Sequence, residues 1–133
     1  MVYVGARRVD TNVAYQGRVR FLADGTVGVA LVKQAGTSDD VLIGKEVVLT
    51  GLTYTSGTVL NVRVVATGTG ATQLAATVWA AGTTEPTTPT VTGTDTTATL
   101  QAAGSVGLTA YLSGSATSSV DVRFSDITVT PVA

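Results

Sequence analysis

Residues 15–31 read YQGRVRFLADGTVGVAL, and the register of this stretch decides the fold. Tyr15, Gly17, Val19 and Phe21 alternate with Gln16, Arg18, Arg20 and Leu22, the period-two pattern of a strand with one apolar face. Beyond the turn, Val27, Val29 and Leu31 continue one face while Gly28, Ala30 and Val32 form the other. A two-residue Asp24-Gly25 loop sets Arg20 opposite Val29 and mixes charge into the apolar stripe. A three-residue loop, Ala23-Asp24-Gly25 with Gly25 left-handed, sets Phe21 beside Val27 and Val19 beside Val29. The second register is expected, because it gives one apolar face and one face carrying Arg18 and Arg20 above small residues.

Working outward, the same logic recurs. Residues 2–9 predict a strand, leading through a polar turn into the hairpin. Residues 34–40 (QAGTSDD) are a loop by their turn-residue density. Residues 41–49 are strand-like but interrupted at Gly44-Lys45, the mark of a tight turn or bulge. Residues 59–67 and 73–81 alternate strongly and predict a second hairpin, with Leu60, Val62, Val64 and Ala66 on one face and Trp79 on the more polar face of its strand. Residues 82–97 show no strand pattern, and Pro86 and Pro89 exclude a central strand there. A short helix is expected near 96–103, capped by Asp95 or Thr96 and ended at Gly104. Residues 106–112 predict a strand. Residues 120–130 predict a last one, with Val120, Val122 and Phe124 inward and a shift at Ser125-Asp126 that returns Ile127 and Val129 to the core. Short alternating strands between Gly/Thr/Asp turns predict an all-β, antiparallel jelly-roll-like β-sandwich in a single domain over 1–133.

Composition narrows the chemistry. The 133 residues carry a formal charge of −1 with 13% charged residues, and no basic stripe suits nucleic acid. No apolar run is long enough for a bilayer-spanning helix, so no membrane insertion is expected, and no signal peptide is visible. Cysteine and histidine are absent, which excludes disulfides, thiolate nucleophiles and histidine-based general bases.

The segment GSVGLTAYLSGSATSSVDVRFSDITV, residues 104–129, resembles the closing strands of concanavalin A-like (lectin/glucanase, laminin-G-like) jelly-roll domains. There a G-x-V-G-L strand precedes a V-x-F-x-D-x-x-V strand. YQGRVRFLADGTVGVALVK, GLTYTSGTVLNVRV and TQLAATVWAAGTTEP look like the middle of the same domain, as found in secreted actinobacterial proteins and in tail or surface proteins of actinobacteriophages. The resemblance implies an extracellular or virion-surface location. It departs from the family in two ways. The E-x-D-x-x-E strand of family-16 glycoside hydrolases has no counterpart. Further strands usually precede the part resembling residues 2–9, so the chain looks like the C-terminal two-thirds of such a domain. An open sheet edge near the N-terminus, completed by strand pairing with a partner chain, is the expected consequence.

Candidate sites follow. The nine acidic residues lie mostly in turns and suit turn formation better than a catalytic carboxylate pair, so no enzymatic activity is expected. No cofactor is expected; a structural calcium would draw on Asp39, Asp40 and Asp126. Glycan binding would use stacking on Trp79, then Tyr111 and Tyr54, with Arg18, Arg20, Asn61 and Arg63 as outward partners on one sheet face. The competing reading is a structural assembly protein, such as a phage tail, capsid-decoration or cell-surface filament subunit, that pairs with copies of itself or with a scaffold.

Overall fold

The hairpin forms in the three-residue register. In the computed structural model, which describes residues 1–132, Phe21 pairs with Val27, Val19 with Val29 and Arg18 with Ala30. The Leu22 N–H donates to the Thr26 carbonyl at 3.0 Å, and Gly25 takes φ +85°. Asp24 Oδ1 accepts from the Thr26 N–H at 2.9 Å and from its hydroxyl at 2.6 Å, so the turn's own side chains hold it.

Among the described residues eight strands follow in order: β1 (Val2–Asp10), β2 (Val13–Phe21), β3 (Val27–Ala35), β4 (Val41–Val48), β5 (Leu60–Thr67), β6 (Thr72–Ala80), β7 (Val91–Asp95) and β8 (Ser105–Ala110). One sheet has the order β4-β3-β2-β1-β8 and the other the order β5-β6-β7, with all pairs antiparallel. The three-stranded sheet packs across the five-stranded one, β7 over β4 and β3, β6 over β3, and β5 over β1 and β2. The architecture is the expected antiparallel β-sandwich. Tyr15, Val19, Val27, Val29 and Leu31 from one sheet meet Leu74, Ala76 and Val78 from the other. This is the inward half of each alternation, and its burial is the main driving force of the fold.

Two glycines set how close the sheets come. A β-carbon on Gly17 would stand 2.5 Å from Val64 Cγ2, and one on Gly93 would stand 2.8 Å from Ile43 Cγ2. Both are inward positions where any side chain would force the layers apart. The expected irregularity in β4 is a bulge: the pairing jumps from Leu31–Ile43 to Val29–Val47, and Gly44 takes φ +82°.

One end of the core is closed by a polar network. Asp95 Oδ2 accepts from the Tyr15 hydroxyl at 2.6 Å and from the Thr97 N–H at 3.0 Å, while Lys33 Nζ donates to Asp95 Oδ1 at 2.5 Å. Gln101 Nε2 donates to the Tyr15 oxygen at 2.9 Å, and Arg7 donates to Thr72 Oγ1 at 2.8 Å while its guanidinium lies 5.9 Å from the Tyr15 ring centre. Burial raises the Asp95 pKa, but the hydrogen bonds from Lys33, Tyr15 and Thr97 outweigh it and hold the carboxyl well below its usual range. Burial and the Asp95 hydrogen bond push the Tyr15 phenol up to about 12.

Four expectations need correction. The open edge near the N-terminus is absent, because β1 is paired with β2 on one side and with β8 on the other. The helix near 96–103 is only a 3-10 turn, Ala98–Leu100, and no side chain caps it; Leu100 is instead drawn fully into the core. Residues 82–97 do contain a strand, β7, whose Thr-Gly-Thr centre has no apolar alternation and which exists by pairing with β6. The predicted last strand is not formed. Residues 120–130 belong to no sheet, and Val120, Val122, Phe124, Ile127 and Val129 are exposed rather than inward.

Candidate functional site

The outer face of the five-stranded sheet collects the polar half of each alternation. Arg18 and Arg20 stand over Ala30 and Gly28, as the register requires. Glu46 from the β4 bulge reaches between them, accepting from Arg18 at 3.1 Å and from Arg20. A β-carbon on Gly28 would lie 2.8 Å from the Glu46 carboxyl carbon, so the glycine makes the space in which this carboxylate sits. Burial opposes ionisation of Glu46, but Arg20 and Arg18 win and lower its pKa. Beside it, the Tyr3 hydroxyl donates to Asp40 Oδ2 at 2.8 Å, and Arg18 lies 3.6 Å from the same carboxylate. Burial and Asp40 push the Tyr3 phenol up to about 12. Both arginines therefore have carboxylate partners within the protein.

On the same face, toward β8, lies a groove of about 590 Å³. Gly5 and Gly107 pair across its floor, where the missing side chains give it depth. Gln16, Gln34, Asp39 and Asp40 stand along one side, and Thr109 and Tyr111 along the other. Sequence reasoning found Tyr111 but missed Tyr3, Gln16 and Gln34. The signal was the outward half of the alternation in strands β1, β2 and β3.

The remaining sequence candidates do not gather with this groove. Arg18 and Arg20 belong to the five-stranded sheet, whereas Asn61, Arg63 and Trp79 belong to the other, so they do not share the expected face. Alternation assigns a residue to a face but not to a sheet. Asn61 pairs with Trp79 on the outside of the three-stranded sheet, and Arg63 Nε donates to Glu85 at 2.5 Å. Tyr54 packs on Phe21, ring centres 4.7 Å apart, against the core. Asp39 and Asp40 are at the groove and Asp126 lies in the last segment; among the described residues no three His, Cys, Asp or Glu groups come together as metal ligands.

A second feature lies at the C-terminal end. Among the described residues no backbone hydrogen bond involves residues 117–132. The segment nevertheless has strand alternation, and its apolar side chains are open to solvent, Val120 at 62%, Ile127 at 61% and Val129 at 61%. Asp126 takes φ +52°, a left-handed kink at the position where the sequence shifts its alternation. In addition, Val106 and Leu108 of β8 are 49% and 38% exposed. Leu108 pairs with Val4 and shares its inward-facing side, so apolar surface is uncovered at the β8 end of the sandwich.

Comparison of the chain with protein-family models, with curated proteins and with solved structures finds no match in any of the three.

Proposed function

We propose that this is a non-catalytic structural module that assembles with other copies by strand pairing, on an extracellular or virion surface such as the resemblance implies. Residues 117–132 carry the proposal: a strand-patterned segment with open backbone groups and six exposed large apolar side chains. Exposed backbone and apolar alternation together form a template for another sheet edge. A solvated tail has no need of this pattern, and an apolar strand left in water forgoes the burial that its composition makes available. The test is the solution mass of the purified chain by light scattering over a dilution series. The proposal expects a mass above that of one 13.4 kDa chain that falls on dilution. A monomer at every concentration overturns it.

A second reading, adhesion through carbohydrate, is favoured by the groove over Gly5 and Gly107. Amides, carboxylates and a tyrosine around a concave floor suit the hydroxyls and apolar face of a sugar. Open space surrounds the β-carbon position of Gly107. A Gly107→Phe variant therefore fills the groove without a backbone clash. Loss of glycan-array binding in that variant, with an unchanged circular dichroism spectrum, is expected on this reading, and an array on which the parent chain binds nothing overturns it.

A further inference from the structure

We infer that the acceptor for residues 120–124 is the free edge of β5 in a second copy of the chain; this rests on the assembly reading above. Among the described residues four strand edges are free, β4 and β8 in one sheet and β5 and β7 in the other. β4 is kinked by its bulge at Gly44 and carries Lys45, both devices that discourage edge pairing. β7 has five residues and β8 six. β5 has eight, pairs with β6 from Leu60 to Thr67 without a register shift, and offers an uninterrupted row of backbone groups on its other side.

The side chains agree. Leu60, Val62, Val64 and Ala66 face the core but remain only partly buried, because the three-stranded sheet ends at β5. β5 packs over β1 and β2, so a strand added beyond it lies over β1 and β8. There its inward residues would cover Val106 and Leu108, the apolar pair already exposed at that end. A single addition thus shields Val120, Val122 and Phe124 of the donor, the half-buried row of β5 and the inward side of β8.

Charge and shape select the register. With antiparallel pairing, as in every other pair of the protein, Val122 opposite Val62 places Phe124 by Leu60 and Val120 by Val64. The outward residues then match, Asp121 beside Arg63 and Arg123 beside Asn61. Sliding two residues one way sets Arg123 against Arg63, a like-charge pair directly across the ladder. Sliding two residues the other way carries Phe124 past the start of β5 to Thr58. Segment and edge occur in the same chain, so two copies that each donate to and accept from the other close as a two-fold pair.

The chain has no cysteine, so engineered cysteines report pairing without background. Full-length Val62→Cys and Val122→Cys chains are mixed and mildly oxidised, and Asn61→Cys is mixed with Arg123→Cys in parallel. The two pairs alternate between hydrogen-bonded and non-hydrogen-bonded positions, so one of them suits a disulfide. The expected result is a cross-linked heterodimer from at least one mixture, more than tenfold above that from Val122→Cys mixed with Val48→Cys on β4. Equal cross-linking to β4 overturns the inference. So does a disulfide found only within single chains of the double variant Val62→Cys/Val122→Cys, which would mean that the segment closes its own sheet. Light scattering on the reduced samples separates the two levels. A concentration-dependent oligomer without either cross-link removes the β5 assignment and leaves the assembly reading standing, whereas a monomer removes both.

Discussion

Glu46 occupies the space above Gly28: a β-carbon there would come within 2.8 Å of the carboxyl carbon, and the same carboxylate joins Arg18 to Arg20. Gly28→Ala is therefore expected to cost about 1 kcal/mol, because the flexible Glu46 side chain can make room only by loosening its hold on the two arginines. Glu46→Ala should cost about 2 kcal/mol by leaving Arg18 without its closest carboxylate. The double variant should cost about 1 kcal/mol less than the sum, since removing Glu46 clears the space for the new methyl group. Urea unfolding of the four proteins checks this, and strict additivity would show that the glycine has some other purpose.

Gly17 makes the corresponding close approach inside the sandwich, facing Val64 across the layers. Gly17→Ala should cost about 1–3 kcal/mol, and adding Val64→Ala should recover part of that loss. An unchanged denaturation midpoint in the single variant would mean that β5 moves away freely.

Stability in acid should follow Asp95. Its pKa is held below the ordinary value of 3.8, so its contribution is present above that pH and is lost as pH falls through the folded value. Asp95→Asn should cost about 2 kcal/mol at neutral pH, because Lys33 and Tyr15 lose a charged acceptor. The difference between variant and parent should vanish in strong acid. A difference that is as large at pH 2 as at pH 5 would mean that packing, rather than charge, accounts for it.

The alkaline limb has the opposite sign. Tyr3 and Tyr15 are raised from 10 to about 12, burial first and a neighbouring carboxylate second. Their contributions are present below pH 10 and disappear as pH rises toward 12. Ultraviolet titration should show two phenols ionising near 12, one lost in Tyr3→Phe and the other in Tyr15→Phe. Ionisation of all four tyrosines near 10 would contradict the two buried hydrogen bonds.

How far the sequence discloses this depends on how local the cause is. The Ala23-Asp24-Gly25 turn was legible because Asp24, Gly25 and the flanking alternation all lie within one hairpin. β7 was not, since Thr92, Gly93 and Thr94 carry no pattern and are made a strand by β6. The face carrying Arg18 and Arg20 was legible, but its carboxylate partners come from the distant Asp40 and Glu46. Asn61 and Arg63 were assigned to the same face because alternation does not reveal which sheet a strand joins. Residues 120–130 have the pattern of a strand, but a strand also needs an edge, and no edge of the same molecule is paired with them.

Charging the donor face should dissolve the assembly and spare the sandwich. In a Val122→Lys/Phe124→Lys variant the mass should fall to that of one chain, and the thermal midpoint should lose its dependence on protein concentration. An oligomer that survives both lysines would show that copies meet elsewhere.

Amide hydrogen exchange over residues 120–124, recorded at a low and a high protein concentration, tests the central claim most directly. Strand pairing between copies predicts amides that exchange freely in dilute solution and become protected in alternate positions as concentration rises. Fast exchange throughout the segment at every concentration would contradict it.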